Sequence, residues 1–213
     1  MWAPYWYFVI PYLSISSICW ILDMQPIFNE WRVRYCSHEV LKQQYKLIFP
    51  TVICNIFILY PILVYLSMDY LHISVGKFDS LKCIAQLLFF LVYFEFSFYV
   101  SHRLLHHKKV YHHIHYIHHQ LRHTVALGGL YAHPIEFILG NFIPPAIGPL
   151  LVSELHYYTM CIWSVALALY VSLSHSGYAG IHLEHHWSYN KFYGTTGYID
   201  YLLGTDKNIV NKE

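Results

Sequence analysis

Residues 83–119 read CIAQLLFFLVYFEFSFYVSHRLLHHKKVYHHIHYIHH, an apolar run followed directly by a histidine-rich segment. The apolar part, residues 83–101, holds a single charged residue, Glu95. It has nearly the length of about 20 residues that a helix needs to cross the hydrocarbon core of a bilayer. The histidines begin at residue 102, where this predicted span ends. The stretch therefore predicts a transmembrane helix that delivers histidines to the membrane surface.

Further apolar stretches of comparable length lie at residues 2–22, 47–67, 137–152 and 157–174. Only helices and closed barrels satisfy the backbone in lipid, and no barrel-like alternation of apolar and polar residues recurs in the chain. The sequence therefore predicts an all-α, multi-span helical integral membrane protein. We expect about four transmembrane helices, because the proline-rich stretch 137–152 is also compatible with a re-entrant segment.

The composition of the 213-residue chain narrows the possible functions. Hydrophobic residues make up 56% and charged residues 12%, which excludes intrinsic disorder. The formal net charge of +1 gives no electrostatic basis for binding nucleic acid. The 17 histidines outnumber the 13 lysines and arginines, and the five cysteines form no C-x-x-C pair. A bound metal would therefore be held by nitrogen and oxygen atoms.

The basic residues of the connecting segments predict an orientation in the membrane. Segments 23–46 and 102–123 are rich in lysine and arginine, whereas segment 68–82 balances Lys77 and Lys82 with two aspartates. The positive-inside tendency places the first two segments in the cytoplasm. If residues 137–174 enter the membrane and return, all histidine motifs form one cytosolic, metal-binding cap.

Three histidine motifs have spacings that suit a helix face. The first pair is spaced i, i+4, and the two later H-x-x-H-H motifs are spaced i, i+3, i+4, so their rings can converge on a shared ion. Eight histidines exceed the needs of one tetrahedral ion, which favours two ions. Imidazole suits iron, zinc, copper and nickel, and the absence of thiolates and of an H-E-x-x-H motif favours oxygen activation by iron over hydrolysis. These eight residues are His102, His106, His115, His118, His119, His182, His185 and His186.

The ordered set of motifs over residues 85–207 resembles the fatty acid hydroxylase superfamily. It comprises H-R-L-L-H, H-Y-I-H-H, L-Y-A-H-P-I-E at 130–136, S-H-S-G-Y at 174–178, H-L-E-H-H, Y-G at 193–194 and L-G-T-D at 203–206. The A-H-P-I-E and S-H-S-G-Y pieces look most like the branch of C4-methylsterol oxidases and fatty acid hydroxylase domain-containing proteins.

This resemblance implies an endoplasmic reticulum enzyme with a di-iron centre on the cytosolic side. It implies O2 as oxidant, electrons from NAD(P)H through cytochrome b5 or a similar carrier, and a lipid substrate, with a sterol favoured. His133 and His175 match two further family histidines and complete the expected ligand shell, and no catalytic residue is expected beyond the ligands. Residues 1–82 would form membrane anchor helices with their connectors, and residues 83–213 the catalytic domain.

Alternatives remain open at this point. Within the superfamily they are a fatty acyl or sphingolipid hydroxylase or a desaturase; in other classes they are a histidine-rich metal transporter and a catalytically inactive scaffold.

Two features depart from the family pattern: only six residues separate His175 from His182, and Leu183 stands where Asp is common. A carboxylate partner for the ligands could come from Glu136, Glu184 or Asp206. Glu95 would either support the metal ligands or the substrate, or pair with a residue of a neighbouring helix.

Overall fold

The structure, a computed structural model, describes residues 2–207. The last six residues of the predicted catalytic domain, 208–213, lie outside the described residues. Almost all of the regular structure is helical, and the long elements are connected by short helices and turns. In chain order the α-helices are α1 Ala3–Asp23, α2 His38–Cys54, α3 Tyr60–Ser67, α4 Ser80–Leu105, α5 Lys108–Tyr111, α6 Tyr116–His119, α7 Pro134–Glu136, α8 Ile143–Leu151, α9 Tyr157–His175, α10 His182–Ser188 and α11 Tyr198–Leu203.

Other elements interrupt or link these helices. Single π-helical segments join α2 to α3 and α7 to α8, and they span Asn55–Leu59 and Phe137–Phe142. Short 3-10 helices span Pro26–Trp31, Met68–Tyr70 and Ala126–Leu130. Two-residue strands β1 Ile73–Ser74 and β2 Leu155–His156 pair in parallel, with Ile73 opposite Leu155. The prediction of an all-α membrane protein is confirmed, with this small strand pair as the only sheet among residues 2–207.

Five helical segments are long and apolar enough to cross a membrane, one more than the expected number of about four. They are Ala3–Asp23, His38–Tyr70, Ser80–Leu105, Pro134–Leu151 and Tyr157–His175. The additional one is the proline-rich segment, which remains a continuous helix. Pro144 and Pro145 directly follow the π-helical segment at the start of α8, and Pro149 lies within α8.

The outer surface of these helices is apolar, as lipid contact requires. Large side chains such as Ile10, Ile58, Leu88, Val92 and Ile162 are exposed. A contiguous apolar surface of this kind is rare on soluble monomers and marks a membrane or protein interaction surface. Together with the span lengths, it identifies the chain as a membrane protein.

The N-terminal helices contact the segment that follows the second histidine motif. Helix α1 packs along α9, and α4 packs along α8. The Tyr12 hydroxyl of α1 donates to the Leu127 carbonyl at 2.7 Å. The Asn55 amide donates to the carbonyls of Leu130 and Ala132 at 2.9 and 3.0 Å. These bonds hold the backbone between the second motif and α7 against the membrane helices.

Candidate metal centre

All three histidine motifs meet at one end of the bundle. Nine of the predicted ligands form two groups, and within each group the potential ligand atoms lie within 4.8 Å of one another. The first group draws on all three motifs, and the second on the two H-x-x-H-H motifs and the end of α9. The first group is His102, His106, His115, His119 and His185, and the second is His118, His175, His182 and His186.

Each H-x-x-H-H motif contributes to both groups, because of helical geometry. Residues four apart on a helix lie about 40° apart around its axis, whereas adjacent residues lie about 100° apart. In the second motif His115 and His119 therefore share a group, and His118 faces the other one. In the third motif the pair spaced by four, His182 and His186, again shares a group.

Short helices at the end of the long ones deliver these side chains. His102 lies in the last turn of α4, and His106 is its C-cap residue. His115 is the N-cap of α6, and His175 is the last residue of α9. The structure thus brings the rings of histidines spaced i, i+4 together within one group in each of the three motifs.

The rings of the first group point their Nε2 atoms at one another. Nε2 of His119 lies 3.0 Å from that of His115, 3.1 Å from that of His185 and 3.2 Å from that of His106. The Nε2 atoms of His106 and His185 are 2.9 Å apart. Such a cluster of ring nitrogens encloses a space lined by potential ligand atoms.

The other ring nitrogen of several ligands is engaged by a protein acceptor. Nδ1 of His102 donates to the Tyr193 carbonyl at 2.8 Å, and Nδ1 of His185 donates to the Lys191 carbonyl at 2.7 Å. A carbonyl can only accept, so these Nδ1 atoms carry the proton and the Nε2 atoms carry the lone pair. Facing lone pairs about 3 Å apart repel one another unless a cation lies between them, so this donor set fits a bound metal ion.

The second group fits a cation for the same reason. His118 donates from Nδ1 to the Tyr131 carbonyl at 2.9 Å, and its Nε2 lies 3.3 Å from that of His175. His186 is fully buried, and neither of its ring nitrogens has a hydrogen-bond partner among residues 2–207. Buried polar atoms in proteins normally have a partner, and a metal ion would supply one here.

Burial keeps these imidazoles in the neutral form that binds metals. It lowers the pKa of His118 to about 4 and that of His185 to about 3. Burial also lowers the pKa of five further predicted ligands well below the usual value, and neighbouring histidines add to the effect; these are His106, His115, His119, His182 and His186. At neutral pH the site therefore presents neutral nitrogen donors.

His133 is the predicted ligand that the structure does not bring into either group. Its Nδ1 accepts a hydrogen bond from the Ile135 N–H at 3.2 Å, so the ring caps the N-terminus of α7. The structure gives it a local capping contact next to Pro134, where the chain enters the fourth candidate span.

Glu136 is the carboxylate that contacts a ligand. Its Oε1 accepts a hydrogen bond from Nδ1 of His115 at 2.7 Å. Glu184, another candidate, instead pairs with Arg34 at 2.8 Å and Lys191 at 2.9 Å. A carboxylate on the second nitrogen of a metal-binding imidazole fixes the ring and increases its basicity.

The short connection between His175 and His182 still brings both residues into one group. Their ring centroids are 4.5 Å apart. Gly177 and Gly180 take φ angles of +87° and +110°, which permit the chain to reverse in so few residues. Arg32 packs where a side chain at Gly177 would lie, so glycine is required there for a second reason.

Arg32 is a buried residue that the sequence analysis did not single out. Its guanidinium pairs with Asp23 and donates to the carbonyls of Thr124 and Ser176. Thr124 follows the second motif and Ser176 follows His175, so Arg32 joins the two segments that carry the second group. The sequence gives only a weak signal for this pair. The signal is an aspartate and an arginine close to the apolar stretches.

A large apolar cavity runs from the histidines into the membrane helices. His102, His115, His118, His175 and His182 line one end, and residues of α1, α3, α4, α8 and α9 line the walls. On α9 it extends from Met160 to His175, a rise of about 22 Å at roughly 1.5 Å per residue. An apolar space thus connects the histidines with the interior of the helical bundle.

Comparison with known proteins agrees with this geometry. The family model of fatty acid hydroxylase matches residues 87–205. The chain is 37% identical over 128 residues to fatty acid hydroxylase domain-containing protein 2 of Macaca fascicularis, covering 57% of this chain and 38% of that protein. It is 33% identical over 180 residues to very-long-chain aldehyde decarbonylase GL1-8 of Oryza sativa subsp. indica, covering 71% and 66%.

A third relative is methylsterol monooxygenase 2-2 of Arabidopsis thaliana, which is 33% identical over 142 residues, with 58% of this chain and 53% of the relative covered. The chain thus spans about two fifths to two thirds of the length of these curated relatives. No solved structure matches the chain. The matched residues include both H-x-x-H-H motifs and the first histidine pair, and they cover more than half of the sequence. The chain belongs to the fatty acid hydroxylase family.

Proposed function

We propose that this protein is a membrane-embedded di-iron oxygenase that inserts oxygen from O2 into an unactivated C–H bond of a lipid. The observation that carries the proposal is that histidines of both groups line an apolar cavity between the membrane helices. Nitrogen-only donor sets suit iron, and the cavity gives a lipid direct access to them. The overall reaction consumes O2, two electrons and two protons, and it yields an alcohol and water.

The protein's own residues would position the metal and the substrate. Nine histidines would hold two iron ions, and the bound iron would supply the activation of O2. The protein acceptors on the Nδ1 atoms, such as Glu136 and the Tyr193 carbonyl, keep Nε2 directed at the ions. The apolar cavity wall excludes water and aligns the lipid. In this proposal His133 serves as a helix cap and not as a ligand.

We propose a methylsterol as the substrate. The relative named methylsterol monooxygenase supports this choice, and so does a cavity lined mainly by apolar residues, which suits a sterol. A fatty acyl or sphingolipid substrate fits the same apolar walls, and the family description refers to fatty acids. Comparison of lipid profiles, described below, separates these substrates.

We propose that the protein lies in the endoplasmic reticulum membrane with its two histidine groups on the cytosolic side. These groups would receive electrons from NAD(P)H through a cytochrome b5-type carrier. The support is the excess of basic residues at this end of the bundle, where residues 96–135 contain four lysines and arginines and no acidic residue. A positively charged cytosolic surface follows the positive-inside tendency.

The geometry disfavours a metal transporter. Transport requires ionisable groups along a path through the bilayer. Here the histidine groups lie at one end of the bundle. Glu95 in the third candidate span and Glu136 in the fourth accept hydrogen bonds from other residues of the protein. Uptake of zinc or iron by vesicles containing the protein would favour the transporter over the oxygenase.

The test is expression in a sterol-producing cell, with lipids compared by mass spectrometry. We expect an oxidised methylsterol with the wild-type protein and none with His118→Ala. His113→Ala is the matched control, because His113 is exposed and lies outside both groups. Wild-type protein that carries iron but changes only acyl lipids would replace the sterol proposal. Purified protein without iron and without any lipid product would indicate an inactive scaffold.

A further inference from the structure

Glu95 is a carboxylate in the middle of a candidate membrane span, and its partners are in a distant loop. It accepts hydrogen bonds from the backbone N–H of Thr195 at 3.1 Å and of Thr196 at 3.0 Å. The two threonine hydroxyls also donate to it. It forms no ion pair among residues 2–207. An acid within a span that makes only such contacts points to a functional role.

The adjacent residues of the same loop are held by a second carboxylate. Asp200, which is fully buried, accepts from the N–H of Tyr193 at 2.7 Å and of Gly194 at 2.8 Å. A Cβ atom at Gly194 would lie 2.8 Å from Asp200 and 2.9 Å from Glu95. The loop is therefore fixed from both sides, and glycine is the residue that fits between the two carboxylates.

The fixed loop contacts the first histidine group directly. The carbonyl of Tyr193 accepts a hydrogen bond from His102 Nδ1 at 2.8 Å, and the Tyr193 ring packs on His106 with centroids 5.1 Å apart. The loop also contacts the cavity, because the hydroxyl of Tyr170, a cavity-lining residue, donates to the Thr195 carbonyl at 3.3 Å. A shift of this loop would thus change both the orientation of His102 and the cavity wall.

We propose that Glu95 is a positioning residue for the metal centre, acting through the loop 193–196 on His102. The proposal rests on the proposed function, since it requires metal in the first histidine group. Glu95 touches neither a histidine ligand nor the metal position directly. It fixes Thr195 and Thr196 of the loop, and the Tyr193 carbonyl, two residues before Thr195, sets the direction of the His102 ring.

The test measures the release of iron from purified protein in detergent to an excess of chelator. Glu95→Leu removes every acceptor, keeps a similar volume and favours membrane insertion. Loss of a partner that orients a ligand typically weakens metal binding about 10–100-fold, so we expect release from this variant to be about tenfold faster or more. Glu95→Gln keeps one oxygen acceptor and should restore most of the retention. Phe96→Leu is the matched control, because Phe96 is an exposed neighbour on the same helix.

A second pair of measurements keeps the inference testable if Glu95→Leu does not fold. The double variant Thr195→Val with Thr196→Val keeps the carboxylate and removes both hydroxyl donors, and it should also accelerate iron release. Hydrogen exchange of residues 193–196 should increase in the same variants. Wild-type protein with iron and a Glu95→Leu variant with unchanged release and exchange would overturn this inference alone. Wild-type protein without iron would overturn the proposed function as well.

Discussion

Nδ1 of His115 lies 2.7 Å from Oε1 of Glu136, and both side chains are almost fully buried. Glu136 ends α7 and directly precedes the π-helical part of the fourth candidate span, whereas His115 precedes the one-turn helix of the second motif. The contact therefore joins a membrane helix to a predicted metal ligand. Of the two polar residues in A-H-P-I-E, Glu136 contacts the first histidine group, whereas His133 lies outside both groups.

Replacing Glu136 by leucine should weaken iron binding in the first group. The change leaves His115 Nδ1 without its acceptor, and losing such a partner costs about 10–100-fold in metal affinity. Glu136→Gln, which keeps an oxygen acceptor, should cost less. Iron content after dialysis against graded chelator concentrations measures the effect. Equal iron retention by Glu136→Leu and wild type would show that this contact does not support the metal.

Replacing Arg32 should destabilise the protein strongly. Removing one partner of a buried ion pair leaves the other uncompensated and costs about 3–5 kcal/mol. Arg32→Met should therefore lower the unfolding temperature in detergent, and adding Asp23→Asn should recover part of the loss. Arg34→Met is the matched control: its pair with Glu184 is about half exposed, and such pairs contribute about 0–1 kcal/mol. Similar effects for Arg32 and Arg34 would contradict the structural role of Arg32.

Replacing His133 should leave the metal in place. The ring caps α7 and lies outside both groups, so His133→Ala should cost about 0.5–2 kcal/mol of stability, as the loss of an N-cap does. Its iron content should equal that of the wild type, whereas His118→Ala should lose iron. A parallel loss of iron in His133→Ala would make it a ligand, as the sequence analysis expected.

Filling the cavity should stop turnover without removing iron. Ala146 lines the cavity wall on α8, away from the histidines, so Ala146→Trp should exclude the lipid. Leu139→Trp is the control, because Leu139 lies on the same segment, is exposed and does not line the cavity. Product formation and iron content are measured together. Full activity in Ala146→Trp would show that the substrate binds elsewhere.

The helical parts of the fold and most of the candidate site could be predicted from local patterns. Apolar length predicts each span, and spacing by three or four residues places histidines on one helical face. The same spacing also explains why His118 and His119 belong to different groups, since adjacent residues on a helix diverge by about 100°. Residues 137–152 were not predicted as a definite crossing because prolines usually interrupt helices, whereas the structure has the fourth candidate span over Pro134–Leu151.

Contacts between distant segments could not be predicted in this way. The acceptors for His102, His118 and His185 are backbone carbonyls, which have no signature in the sequence. Arg32 and Glu95 act through loops more than 90 residues away, so their roles depend on the tertiary fold. His133 matched a family position, yet the capping contact that it makes is visible only in the structure.

The central claim is that two metal ions are held by two separate groups of histidines. The most direct measurement is the iron content of the purified protein by mass spectrometry, for the wild type and for one variant of each group, His119→Ala and His186→Ala. The account predicts two irons per wild-type chain and at most about one in each variant. A wild-type protein that binds no more than one iron per chain, or variants that keep both, would contradict it.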